Sequence, residues 1–397
     1  MKVLVAHPGT QHSFHLAYAL NEKNYLFKFV TSIAISESSF WRRLFGARIA
    51  RRVAKGIDGD KLKSYPTMVI LEYFLKLLGR KEEEIYFMRN LRFQQKVIKN
   101  DIQYAEVVIG FDTSSWLLAK YCQENNKVFI LDVSIGHPVS KEKIFSDLRK
   151  RFPNWIDVAV PKKKTHIAFE QEELKLATAV VVPSSFVKRT LIENGVDADK
   201  IFINPFGSSV SNCRIEEKNE NREQVRFLFF GALSARKGLP LLLQAWRLLK
   251  DTNRAILIVA GYGQIPEGEK IPSNVKVLGP IKPNDRASLY GNADVFVFPS
   301  YFEGFAQVLI EAAGSGLPII STSNSGAEDI IKDGYNGFII KPGDVDTLTS
   351  KISYFINHPT EIALMKEKVK ERIDYFSWSA YGDRWINILD TVDKFSK

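Results

Sequence analysis

Glu303 and Glu311 are two carboxylates eight residues apart, set where an apolar strand should pass into a helix. Residues 295–298, V-F-V-F, are β-branched and aromatic without a polar interruption, which predicts a buried strand. Pro299 and Ser300 stop it, and residues 305–313 then predict a helix that ends at Gly314 or Gly316. On one helix, eight residues separate the two acids by about 12 Å along the axis. They cannot share a proton or a metal at that distance. The N–H groups of Gly304, Phe305 and Ala306 fall at the start of the helix, where peptide dipoles and unpaired donors favour a phosphate. Two acids can therefore grip hydroxyls at opposite ends of a long polyol with a diphosphate between them. A nucleotide sugar has that layout.

The surrounding run, E-G-F-A-Q-V-L-I-E-A-A-G-S-G-L-P-I-I-S-T, resembles the E-x7-E element of retaining glycosyltransferases of family 4, which have the two-Rossmann-domain GT-B fold. The likeness continues through N-S-G-A-E-D-I-I (324–331) and D-G-Y-N-G-F (333–338). It implies that Glu303 meets the donor sugar, that Glu311 takes the ribose hydroxyls, and that Arg236 and Lys237 hold the donor diphosphate. It also implies that Gly9 and Thr10 close the N-terminal side of the site and that His137, after a strand, lies near the anomeric carbon or C6. His137 departs from the family setting in being followed by Pro138, and the junction 205–208, P-F-G-S, carries serine where the family has aspartate. Cations and N–H donors are needed there because a departing nucleoside diphosphate gathers charge as the glycosidic bond breaks. No carboxylate is placed as a nucleophile, so the resemblance implies front-face attack assisted by the leaving phosphate, with retention.

The elements that must position these groups alternate strand and helix, which predicts parallel sheets with function at the carboxyl ends of the strands. Strands are expected at 2–6, 106–110, 127–133, 177–183, 201–204, 225–230, 255–260, 275–278 and 295–298. Helices are expected at 13–20, 66–78, 82–99, 185–193 and 351–373. Asp112 to Ser115 read as a helix cap. The turn at Gly261 lets backbone approach a flat base, and Ile281 sits on a second such edge. The fold class is α/β: an acceptor domain over 1–210, a polar linker at 211–224, a donor domain over 225–377, and a last helix, about 378–397, that packs back on the first domain.

Metal ligation is not required by the sequence. Asp344-Val345-Asp346 opens a helix and reads as its cap, Asp58-Gly59-Asp60 reads as a turn, and His7, His12 and His15 lack a completing ligand, with His12 better suited to capping or substrate contact. The co-substrate is a nucleotide diphosphate-sugar, UDP- or GDP-linked, and no other cofactor is expected.

Charge is unevenly spread. Residues 1–210 carry 32 Lys and Arg against 22 Asp and Glu, whereas residues 211–397 carry 23 of each. An anionic partner is therefore expected for the first half. Residues 41–55 hold six basic residues and no acid, interleaved with Trp41, Leu44, Phe45, Ile49 and Val53. As a helix that stretch would suit an anionic membrane surface, or would pack on its own domain with its arginine heads in water. Stacking motifs for nucleic acid are absent. No apolar run spans a bilayer, residues 2–6 are too short for a signal peptide, and Cys122 and Cys213 are too few to staple the fold. A cytoplasmic enzyme, peripheral on the inner face of the plasma membrane, is the expectation, with an envelope glycan or lipid-linked saccharide as acceptor. The rival readings are a nucleotide-sugar 2-epimerase of the same architecture and a membrane-surface binding protein with a degenerate site.

Overall fold

The computed structural model describes residues 1–36, 52–155, 161–208, 224–250 and 252–395. The strands before residue 204 are β1 Val3–His7, β2 Leu26–Thr31, β3 Ile35–Ser36, β4 Val53–Ala54, β5 Leu62–Ser64, β6 Val107–Phe111, β7 Val128–Asp132, β8 Ala179–Val182 and β9 Ile201–Ile203. Seven of them form one parallel sheet in the order β5-β2-β1-β6-β7-β8-β9. The later strands are β10 Val225–Phe230, β11 Ala255–Ala260, β12 Val275–Gly279, β13 Val295–Phe298, β14 Ile319–Thr322 and β15 Gly337–Ile340. They form a second parallel sheet, β12-β11-β10-β13-β14-β15. Central strands such as V-L-V-A-H and V-F-V-F are buried along their whole length, as a sheet covered by helices on both faces requires.

In both sheets the strand order reverses beside the first strand of the domain, between β1 and β6 and between β10 and β13. At such a reversal the loops leave the carboxyl ends in opposite directions and open a crevice. The two crevices face each other across the domain boundary. Contacts at one side hold the domains together: Ser184 Oγ donates to the Gly304 carbonyl (2.6 Å), Ser185 bonds Asp329 through its N–H and hydroxyl, and Arg189 pairs with Glu328 at 2.9 Å. The helix Trp378–Phe395 follows the second sheet yet lies on the first domain. Arg384 donates to Asn204 Oδ1 (2.7 Å) and the Pro205 carbonyl, Lys23 pairs with Asp383, and Trp385 is fully buried.

Several expectations need correction. Most of the basic stretch 41–55 lies outside the described residues, as does nearly all of the expected linker, but Val53 is not helical: it is a buried residue of β4, paired with Ile35 of β3. The expected helix 351–373 is two helices, Val345–Asn357 and Pro359–Lys370, because Pro359 cannot continue the first and His358 turns out of helical geometry. The helices Pro138–Arg151 and Lys164–Leu176 were not anticipated; their apolar residues are sparse and their burial is shallow. Among the described residues no helix is long and apolar enough to cross a membrane.

Candidate active site

A cleft of about 1010 Å³ opens between the domains. Its second-domain wall is built by loops after adjacent strands. Lys237 follows β10, Gly261 follows β11, Ile281 follows β12, and Glu303, Phe305 and Ala306 follow β13. The first domain contributes Thr10, Gln11, His12, His15 and Ser134, and the chain end contributes Trp378.

Glu303 is 7% exposed and carries three donors on one oxygen. Oε1 accepts from Lys237 Nζ (2.6 Å), Ser300 Oγ (2.7 Å) and Arg236 Nη1 (3.0 Å). Burial pushes its carboxyl up, but Lys237 and Arg236 outweigh that and hold it below the usual carboxylate range. No protein donor meets Oε2 among the described residues, which leaves an ionised oxygen able to accept from a ligand hydroxyl. The Lys237 ammonium is lowered by burial, opposed by Glu303.

Glu303 does not lie on the following helix. That helix is Gln307–Gly314, so the separation from Glu311 is not set by helix pitch alone. Of the three N–H groups expected at its start, that of Ala306 is taken by the Ser325 carbonyl (3.1 Å). Gln307 and Val308, the first two helical residues, line the cleft in its place. Gly304 serves a different purpose: an added Cβ would sit 1.8 Å from the Ser134 carbonyl oxygen, so glycine is what lets this loop touch the opposite domain. Glu311 lies deeper along the same helix. It accepts from Tyr290 Oη at 2.7 Å and pairs loosely with Arg286 at 3.5 Å.

Arg236 is not a lining residue. Its guanidinium is spent on Glu303 and on the Phe302 carbonyl (3.1 Å), so it sets the acid rather than facing a diphosphate. The second cation on the wall is Arg286, at the start of a short helix and 5.5 Å over the Phe230 ring. Nothing in the local sequence marks Arg286 or Tyr290. They are brought in by the strand order.

His137 departs further from expectation. It caps the helix Pro138–Arg151, its Nδ1 accepting from the Val139 N–H (3.3 Å), and is 2% exposed. It lines a separate cavity of about 40 Å³ beside Asp112, Lys141 and Glu173, too small for a sugar. Burial lowers its imidazole to about 4. Pro138 at the first helical position turns the ring onto its own helix. The histidines that do line the cleft are His12 and His15; His12 is held by Asp132 (Nε2 to Oδ2, 2.9 Å) and is not engaged in capping its helix. His15 stacks on Trp378 with ring centroids 3.6 Å apart. Gly9 is not at the cleft surface; its neighbours Thr10 and Gln11 are. Gly261 is, with φ +142° and room for no side chain, since a Cβ would meet the Gly231 carbonyl oxygen at 1.6 Å. Asp344 accepts from the Thr347 N–H as a helix cap. Asp112 likewise bonds Ser134 Oγ, while the cap of helix Trp116–Glu124 comes from the distant Glu173, which accepts from Thr113 and Ser115 N–H. Among the described residues no group of three or more His, Cys, Asp or Glu side chains is placed to hold a metal ion.

Two parallel-sheet domains facing one cleft, closed by a last helix that returns to the first, define the GT-B architecture. Sucrose-phosphate synthase from Thermosynechococcus elongatus superposes with a TM-score of 0.67 at 16% identity, covering 99% of each chain. HepE from Anabaena, solved in complex with UDP, gives 0.64 at 15% identity, over 98% of this chain and 100% of that one. Residues 213–372 match the family described as glycosyl transferases group 1. The capsular polysaccharide biosynthesis glycosyltransferase CapM of Staphylococcus aureus is 30% identical over 200 residues, 46% of this chain and 53% of that protein. The chain thus spans about half the length of this curated relative. The family match falls on the second domain, the one that carries Lys237, Glu303 and Glu311.

Proposed function

We propose that the chain transfers a glycosyl group from a nucleoside diphosphate-sugar to a hydroxyl of a cell-envelope glycan or lipid-linked saccharide, with retention of anomeric configuration, as a family 4 enzyme. The observation that carries the reading is the placing of Glu303 with Lys237, the helix start at Gln307, and Glu311 with Arg286 along one wall of one cleft. In this reading the free oxygen of Glu303 accepts from a sugar hydroxyl and Glu311 accepts from the ribose. Lys237, Arg286 and the N–H groups of Gln307 and Val308 receive the diphosphate. Two cations and two N–H donors fixed along one wall of the cleft favour the departing diphosphate over the intact donor.

The acceptor would enter from the first domain, past Thr10, His12 and Ser134. With no carboxylate placed as nucleophile, attack from the face of the departing phosphate is the route the residues favour, with the phosphate oxygen taking the acceptor proton. The cations present account for the charge, so the reaction is read as metal-independent. The relatives' capsular polysaccharide role supports an envelope glycan, and the basic first domain supports an anionic membrane surface at the cytoplasmic face as a partner.

The test is thermal stabilisation by a panel of uridine, guanosine and adenosine diphosphate sugars. A donor present at a hundred times its Kd adds about 2.7 kcal/mol to stability and raises the Tm visibly. Product configuration is then read by the anomeric proton coupling, with and without chelator. A panel with no shift, or an inverted product, would remove the reading.

A further inference from the structure

The helix Thr67–Leu77 of the first domain turns its apolar residues to both sides. Met68 and Leu75 are buried in the core, while Ile70, Tyr73, Phe74, Leu77 and the following Leu78 are 57% to 68% exposed. At 100° per residue these five fall on a single arc about 140° wide. A helix packed only on its own domain would present polar residues there.

Beside this arc runs a basic border. The helix Glu82–Asn100 packs alongside, and its Arg92, Lys96 and Lys99 line a shared groove with Thr67, Met68 and Leu71. Arg80 and Lys81 follow the C-terminal end of the apolar helix. Residues 61–100 hold nine Lys and Arg against four Asp and Glu. Three of those acids are already engaged: Glu72 with Lys76 and Arg89, Glu83 with His166, Glu84 with Lys163. Among the described residues no carboxylate pairs with Arg92, Lys96 or Lys99.

We infer that this face docks on an anionic phospholipid bilayer. The helix lies in the plane of the interface, its apolar arc in the boundary between headgroups and acyl chains, with the bordering cations on lipid phosphates. A second copy of the chain is the poorer occupant, because a two-fold contact through this face would bring the same three cations against one another. The inference narrows the membrane-partner reading to named residues and does not depend on the transferase chemistry.

Co-sedimentation of the full chain with phosphatidylglycerol-containing vesicles, against pure phosphatidylcholine vesicles, tests it. Binding is expected to the anionic vesicles only and to weaken with salt. Phe74→Asp with Leu77→Asp should weaken it by at least about tenfold. Arg92→Gln with Lys96→Gln and Lys99→Gln should weaken it by about a hundredfold. Apart from the half-buried Lys96, both variants change exposed side chains, and both should keep the native Tm and native affinity for the nucleoside diphosphate, which separates failure of docking from failure of the donor site. Equal binding by the Phe74/Leu77 variant, equal binding to both vesicle types, or a dimer in light scattering that this variant dissolves would each overturn the inference.

Discussion

The ammonium of Lys237 lies 2.6 Å from Oε1 of Glu303, although 65 residues stand between them in the chain. The two side chains leave the ends of β10 and β13, which are neighbours at the reversal of the second sheet. Glu303 is buried and Lys237 half-buried, and each helps the other stay charged. Burial favours the neutral form of both groups, and the charge of each partner opposes that shift in the other. The pair therefore presents a fixed negative oxygen and a fixed cation a few ångströms apart, which suits a ligand carrying hydroxyls on one side and phosphate on the other.

Removing either member should cost turnover more than affinity for the intact donor. Lys237→Ala and Glu303→Gln are each expected to lower kcat by about 10² to 10³. Because they act as a unit, the double variant should be far less impaired than the product of the two losses. Release of nucleoside diphosphate under saturating donor measures all three.

Arg236 and Arg286 should separate by the parameter they change. Arg286→Ala removes a cation from the cleft wall, so the Kd for the free nucleoside diphosphate should rise about tenfold and become less sensitive to salt. Arg236→Ala removes a partner of Glu303 and should lower kcat while leaving that Kd nearly unchanged. Calorimetric titration beside steady-state kinetics distinguishes them.

Glu311 is read as the ribose ligand. Glu311→Ala is expected to weaken nucleoside diphosphate binding by about ten- to a hundredfold, the worth of hydrogen bonds to a charged acceptor. Tyr290→Phe, which removes the 2.7 Å bond that orients the carboxylate, should produce the same effect in smaller measure. The corresponding free base, lacking ribose, should bind wild type and Glu311→Ala alike.

Gly304→Ala tests the contact between domains. The added methyl group would overlap the Ser134 carbonyl, so the loop after β13 and the loop after β7 must part. The variant should keep both domains folded, with a small change in Tm, yet lose most transfer activity. Small-angle scattering should show a longer maximum dimension.

Acid should weaken the fold in a way assignable to single residues. Burial lowers His15 and His137 to about 4, below the ordinary 6.5. Between those values the unfolded chain binds more protons, so stability rises with pH and is lost as pH falls from 6.5 toward 4. Asp112 acts in the opposite sense: burial raises it to about 6, so the folded chain holds the extra proton between pH 3.8 and 6 and stability falls as pH rises through that window. Urea unfolding at stepped pH should show a shallower acid loss in His137→Gln, by up to one proton, and a steeper one in Asp112→Asn.

Much of the fold is legible in the sequence itself. Runs of mostly apolar residues marked β10, β11 and β13 at their observed limits, because strands covered by helices on both faces carry few polar side chains. Glu303 and Glu311 were picked out by their spacing within a run that resembles the E-x7-E element, and both line the cleft. What the chain could not announce locally was direction. Arg236 and Lys237 are adjacent in sequence, yet one turns behind Glu303 and the other faces the cleft, a choice made by the Phe302 carbonyl and the strand order. His137 follows a strand end as a functional residue would, but the helix it caps claims its ring. Arg286 and Tyr290 stand in a segment with no signal of its own, and they and Trp378, which opens the expected last helix, meet the site only through packing. Residue type and periodicity, which depend on neighbours along the chain, thus determined the strands, the two parallel sheets and the pair of acids. Which side chains share the cleft depended on groups far apart in sequence, and only the packing of the two domains decided it.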